Sequence, residues 1–184
     1  MKINSLPSSV HVAANKFKLL KLGEKFSSKK ITDGVSSDIW HIKTEKNKEF
    51  CIKRALAKLT VKEDWYAPVS RNNFEAMYFK YCKKVMPDFF PKLLGHDNKN
   101  HILAMQWYSP KSYRVWKKKL LNSNINFMDA INISNVLIKK HKFFFHKKFY
   151  KKKFENDDTF YSIRIEPYII FTSDKYPQYK KKFL

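Results

Sequence analysis

With 184 residues, a formal charge of +22 and 43% hydrophobic residues, the chain can form one packed domain or about one and a half lobes of a two-lobe protein, and it is too apolar for a disordered polyelectrolyte. No run of about 18 uncharged apolar residues occurs, so no spanning helix is expected, and residues 1–10 are polar without a signal-peptide stretch. The charge invites a nucleic-acid or anionic-surface partner, yet 34 of the 38 basic residues are Lys and only four are Arg, and Gly is scarce, a drift also produced by an AT-rich coding sequence.

In chain order, residues 10–22 carry apolar positions at helical spacing, with Gly23 as the stop. Residues 25–43 read as two strands joined at Asp33-Gly34, a pair associated with tight hairpins. Residues 49–57 form a third strand after an Asn47-Lys48 turn, and residues 60–69 a loop. Ser70 is placed to cap a helix in which Phe74, Met77, Tyr78, Tyr81, Cys82 and Val85 make one apolar stripe, ended by Pro87. Residues 92–97 and 101–108 read as two further strands about an Asn98-Lys99-Asn100 turn. Beyond Pro110 the pattern turns helical: a short helix over 113–121, a long one over 127–149 with Ile131, Leu137, Ile138, His141 and Phe145 free to face inward, and a segment over 158–171 broken at Pro167. Asp157-Asp158 is placed to cap that last segment. The two cysteines, Cys51 and Cys82, fall on a strand and a helix and read as buried thiols of a reducing cytoplasm.

Lys53 sits on the third strand, on the same face as Cys51. Glu75 lies on the next helix beside its apolar stripe. Gly34 with Ser36 and Ser37 can offer backbone N–H groups and hydroxyls to phosphate oxygens. A phosphate-covering turn, a strand lysine and a helix carboxylate are the nucleotide-holding parts of a kinase small lobe. Each also has a plainer reading: Asp-Gly as a hairpin turn, Lys53 and Glu75 as two charges in a chain that is 29% charged. Gly95-His96-Asp97 has the letters of a kinase catalytic loop in the wrong order and on a predicted strand. His141 reads as a core residue and His146 as surface, five apart and so not a ligand pair. The stretch 139–154 interleaves Lys with Phe and Tyr, as single-strand binders do and as a lysine-rich amphipathic helix also does.

Taken together, the order of motifs resembles bacterial phosphotransferases of the aminoglycoside phosphotransferase and choline kinase type, from about residue 22 onward. The likeness is carried by the turn Thr32–Trp40, the lysine strand Phe50–Leu59, the segment Val61–Val69 with Arg71 and Glu75, and later Trp116–Leu121, Leu137–His141 and Phe160–Tyr168. The resemblance implies an α+β fold: an N-terminal helical extension (1–21), a kinase-like small lobe of five antiparallel strands and one helix (22–109), and the first helices of a helical lobe (110–184). It implies ATP as nucleotide, with Lys53 on the phosphates, Glu75 pairing with it, Gly34, Ser36 and Ser37 covering the phosphates, Ile39 and Cys51 against adenine, and Gln106, Trp107 and Tyr108 as the hinge between lobes. The acceptor implied is a small-molecule hydroxyl, although a polycationic aminoglycoside sits badly with so positive a chain. Members of the family carry a His-Gly-Asp catalytic loop and a downstream Asp for Mg²⁺. Neither is found in these 184 residues. The expectation is therefore a truncated, split or decayed product, inactive alone, with exposed apolar faces on the helices after residue 112, and a separately encoded helical lobe is one candidate partner. A non-catalytic nucleotide-binding module and a basic nucleic-acid binder stand as alternatives.

Overall fold

A computed structural model describes residues 6–32 and 34–183. Five antiparallel strands form a single sheet: β1 (Phe26–Ile31), β2 (Ser37–Thr44), β3 (Glu49–Ala55), β4 (Leu93–Asp97) and β5 (Ile102–Gln106), in the spatial order β1-β2-β3-β5-β4. Helix α1 (Ser8–Lys16) precedes the sheet, and α2 (Arg71–Val85) lies between β3 and β4. The fold is thus α+β, in the arrangement expected of a kinase-like small lobe, followed by helices.

Strand alternation gives the sheet two faces. Trp40 and Ile42 of β2, Phe50 and Ile52 of β3, and Ile102 and Ala104 of β5 point to the back face, where they form one buried cluster with Leu6, Val10, Ala13, Ala14, Leu19 and Leu20 from α1 and its flanks. Burying each large aliphatic or aromatic side chain contributes about 1.5–3 kcal/mol, so this layer is the main source of stability. Helix α1 ends at Lys16, earlier than its apolar spacing predicts. The chain turns at Lys18 (φ 56°), which sends Leu19 and Leu20 back onto the sheet, and Gly23 (φ 74°) makes a separate later turn.

The β1–β2 connection is not a two-residue hairpin. Ile31 pairs with Ile39, while β2 starts earlier, at Ser37, and pairs there with β3, so the connection is longer than a two-residue turn. Asp33, on which the expected Asp-Gly turn rests, lies outside the described residues. The Asn47 turn does form as expected, with φ 58°. At the β4–β5 turn the Asp97 carboxylate accepts bonds from the N–H groups of Lys99 and Asn100, from the Asn100 side chain (2.9 Å) and from Lys16 (3.0 Å). The Asn100 and Lys16 bonds hold its carboxyl far below the ordinary 3.8 despite its burial.

Ser70 precedes α2 without a side-chain cap. The expected stripe is also split. The buried residues are Asn72, Ala76 and Cys82, where small side chains let the helix approach closely on the side that carries Glu75. Tyr78 instead meets Phe90, and Tyr81 meets Tyr150 and Phe154, edge to face.

After the sheet come α3 (Trp116–Leu121), α4 (Phe127–Phe145) and α5 (Lys148–Lys153), none with a buried residue. The long helix expected over 127–149 breaks at His146. Ile131, Leu137, Ile138, Phe145 and His141 are exposed rather than inward. Next are α6 (Asp157–Phe160), a wide π-helical segment (Tyr161–Ile170), α7 (Phe171–Lys175), a 3₁₀ turn (Pro177–Tyr179) and α8 (Lys180–Phe183). The side chains of Asp157 and Asp158 cap nothing, and Asn156 precedes the helix instead. Pro167 does not break the segment. It sits inside the π-helical turns, whose looser register accommodates a ring and a missing donor. Among the described residues no helix is long and apolar enough to cross a membrane.

Candidate functional site

The register places six side chains on the front face: Ile39 and His41 from β2, Cys51 and Lys53 from β3, Leu103 and Met105 from β5. Helix α2 packs beside that face and delivers Glu75 to Lys53. The Lys53 ammonium donates to both carboxylate oxygens, at 2.6 and 2.7 Å. Both side chains are partly shielded, 18% and 29% exposed, so the pair is ordered yet reachable. A charge-assisted bond of this kind is worth about 1.5–3 kcal/mol, and its effect is to hold the amine extended over the front face. The neighbouring Arg54 points to the other side and pairs with Asp38 at 2.9 Å. Burial pushes the Asp38 carboxyl up, but the bonds from Lys30 and Arg54 outweigh it and leave it below its ordinary value.

Cys51 lies two residues before Lys53 on the same face. Burial pushes its thiol up to about 12, so it is a neutral apolar surface rather than a nucleophile. Cys51 and Cys82 are both buried and free. Ile39 stands opposite Lys53, and the residue directly opposite Cys51 is His41. The His41 ring stacks on Trp107 (centroids 4.1 Å, planes 18° apart), and its Nε2 contacts Glu49 at 2.8 Å. His41 escaped sequence reasoning. Counting two residues on from Ile39 would have found the position, but a strand histidine carries no signal of stacking.

Gln106 ends β5 and is exposed, whereas Trp107 and Tyr108 are half-buried just beyond it. They line a cleft of about 710 Å³ together with Lys30, Ile31 and Thr32 from the end of β1 and Tyr113 from the segment before α3. Gly34 and Ser36 lie in the loop between β1 and β2, and Ser37 is the first residue of β2, paired with Ala55 and buried. A side chain at Gly34 would meet open space, so its smallness is not demanded by packing. The loop is anchored through its carbonyls: Val35 O accepts from Thr60 N–H (2.8 Å), and Ser36 O accepts from Leu56 N–H (3.2 Å). Gly95-His96-Asp97 is strand β4, with His96 bonded to Asn73 and Asp97 tied into its turn, so it supplies no loop chemistry. Among the described residues no group of three or more His, Cys, Asp or Glu side chains is gathered as a metal cage.

The lysine- and aromatic-rich stretch 139–154 folds as the end of α4 and α5. Its Phe144, Tyr150 and Phe154, with Tyr78 of α2, border a separate cavity of about 690 Å³. It does not join the Lys53 face among the residues that line it.

No protein-family model matches the chain, and no curated protein matches it. Among solved structures it is similar to the crystal structure of a candidate fructosamine-3-kinase from Thermobifida fusca YX-ER1, at 13% identity and a TM-score of 0.40, over 57% of this chain and 32% of the other. The chain therefore spans about a third of that protein's length.

Proposed function

We propose that the front face holds a nucleoside triphosphate, ATP in the first instance, and that the chain belongs functionally with phosphotransferases of the aminoglycoside phosphotransferase and choline kinase type, which pass a phosphoryl group to a small-molecule hydroxyl. The observation that carries this reading is the Lys53–Glu75 pair: an amine on β3, clamped by both oxygens of a helix carboxylate, on the face bordered by an anchored serine-bearing loop. The donor set suits phosphate. Lys53 supplies a point charge, and the loop with the start of β2 supplies the backbone N–H groups of Ser36 and Ser37 and the Ser36 hydroxyl. Ile39 and the His41–Trp107 stack, lying over the buried Cys51, supply an apolar and aromatic surface for a base, with Gln106–Tyr108 alongside.

In this reading Glu75 keeps the ammonium extended, Lys53 neutralises phosphate charge, and the loop excludes water from the phosphates. Phosphoryl transfer of this type uses Mg²⁺, and among the described residues no group of three or more His, Cys, Asp or Glu side chains is gathered to hold it. The role assigned to these residues is nucleotide holding, which a non-catalytic nucleotide-binding module would share.

Calorimetry of ATP binding to the full chain tests the reading. Lys53→Ala is expected to weaken ATP binding about tenfold, the loss of one charge-assisted contact, with far-ultraviolet dichroism unchanged. An ATP affinity that does not respond to Lys53 overturns it.

A further inference from the structure

The nucleotide reading leaves Arg71 unused, yet its guanidinium makes four hydrogen bonds to backbone carbonyls from three segments. Nη1 donates to Ala67 O (3.0 Å) and Pro68 O (2.7 Å), just before α2. Nη2 donates to Leu56 O (2.6 Å), past the end of β3, and to Ser36 O (2.6 Å), in the loop between β1 and β2. None of these acceptors is charged. Burial works against the guanidinium charge and Glu75, one helical turn on, favours it. A four-way bond to neutral carbonyls is poor use of a half-buried cation if stability is the only return, because its desolvation is not repaid by a counter-ion in contact.

The geometry suggests another use. Arg71 and Glu75 sit on the same helix, so a single side chain ties the loop to the element that positions Lys53. The carbonyls of Val35 and Ser36 are both drawn toward the β3–α2 connection, by Thr60 N–H and by Leu56 N–H together with Arg71. In a planar trans peptide the N–H points opposite to the carbonyl, so the Ser36 and Ser37 N–H groups are turned away from this anchor. We propose that Arg71 is a positioning residue for the polyphosphate part of the ligand: it fixes the loop so that its N–H donors and the Lys53–Glu75 pair meet the phosphates as one preorganised unit. This role rests on the reading of Lys53 as a phosphate contact. Lys cannot substitute, since an ammonium lacks the planar fork that spans carbonyls from separate segments.

The test uses Arg71→Lys and Arg71→Met in the full chain, with two readouts. Without nucleotide, amide hydrogen exchange at Leu56 and Thr60 is expected to quicken at least tenfold in both variants, while Ile52 and Leu103 in the sheet keep their protection. With ligand, the ratio of ATP to adenosine affinity is expected to fall about tenfold while adenosine affinity holds. Because a variant that unfolds would lose every contact together, the wild-type chain gives an independent reading: saturating ATP should slow exchange at Leu56 and Thr60 more than adenosine does. Unchanged exchange in the variants, equal loss of ATP and adenosine binding, or equal effects of the two ligands on the wild type overturns the role. A wild-type chain that binds no ATP removes the reading of the site and this role with it. Lys53-dependent ATP binding with an unchanged ATP-to-adenosine ratio in Arg71→Lys removes this role alone.

Discussion

The sheet and the helices that follow it are written in the same residues, lysine with phenylalanine, tyrosine and isoleucine, and they are packed very differently. In the sheet the back face meets α1 and the front face is flanked by α2, so Phe50, Ile42 and Ile52 are wholly buried. In α4, Leu137, Ile138 and Ile131 recur at helical spacing and yet are 43%, 51% and 49% exposed. Periodicity states which residues are able to share an interior. Whether a second layer arrives to cover them depends on the rest of the structure, and in the described residues only the sheet has one on its back.

That contrast can be broken most sharply by matched truncations. Phe50→Ala, in the back layer, is expected to cost about 3–5 kcal/mol in urea unfolding. The same change at Phe145, which is 82% exposed, should stay within about 0.5 kcal/mol. Comparable costs at the two sites would mean that α4 is buried in solution. A smaller effect is expected at Gly95, in β4. A Cβ there would come within 2.2–2.6 Å of the Phe17 ring, at the point where the segment after α1 crosses the sheet. Gly95→Ala should therefore cost about 1–3 kcal/mol by thermal or chemical unfolding, and Phe17→Leu in the same chain should recover part of it. A neutral Gly95→Ala would show that the crossing is loose.

Among the buried sites the smallest effect should come from Asp97, which joins α1 to the β4–β5 turn. Its folded carboxyl lies below its ordinary value, so its contribution is complete above about pH 4 and disappears as pH falls through the folded value. Asp97→Asn should destabilise by about 1–2 kcal/mol near pH 6, and the gap from wild type should narrow steadily as pH falls below about 4. A gap that stays constant with pH would assign the effect to shape rather than charge.

Much of this was legible in the sequence, for identifiable reasons. β3 announces itself by alternation within a β-branched and aromatic run, and that alternation alone puts Cys51 with Lys53 on one face. Glu75 was findable because a helix after β3 has one side free to reach that face. Features set by long-range contacts were hidden. Asp-Gly gave no sign that Ile31 would pair with Ile39, or that Thr60, Leu56 and Arg71 would bond the carbonyls of Val35 and Ser36. Asn72 and Ala76 are buried ahead of Phe74 and Met77 because closeness of approach, rather than hydrophobicity, decides which side of α2 faces inward. The break at His146 and the passage of the helix through Pro167 follow from local register and have no composition signal. Net charge misled in its own way. In a chain of +22, Glu63, Asp64, Glu166 and Asp174 line one cleft of about 530 Å³ with Trp65 and Phe171, so the whole-chain sum says little about the sign that a given ligand would meet. That cleft joins distant parts of the chain, since Trp65 donates to Ser162 O at 2.9 Å and packs edge-on against Phe171.

Helix α1 has a consequence for how the lysine strand behaves as a mechanical part. β3 is backed along its length by a layer from residues 6–20 and flanked at its front by α2, so bowing toward its back would have to compress packed side chains. An amine mounted on such a beam keeps its aim through thermal motion, and trimming the chain back to the first strand would strip off that backing and leave a greasy sheet with a wandering lysine.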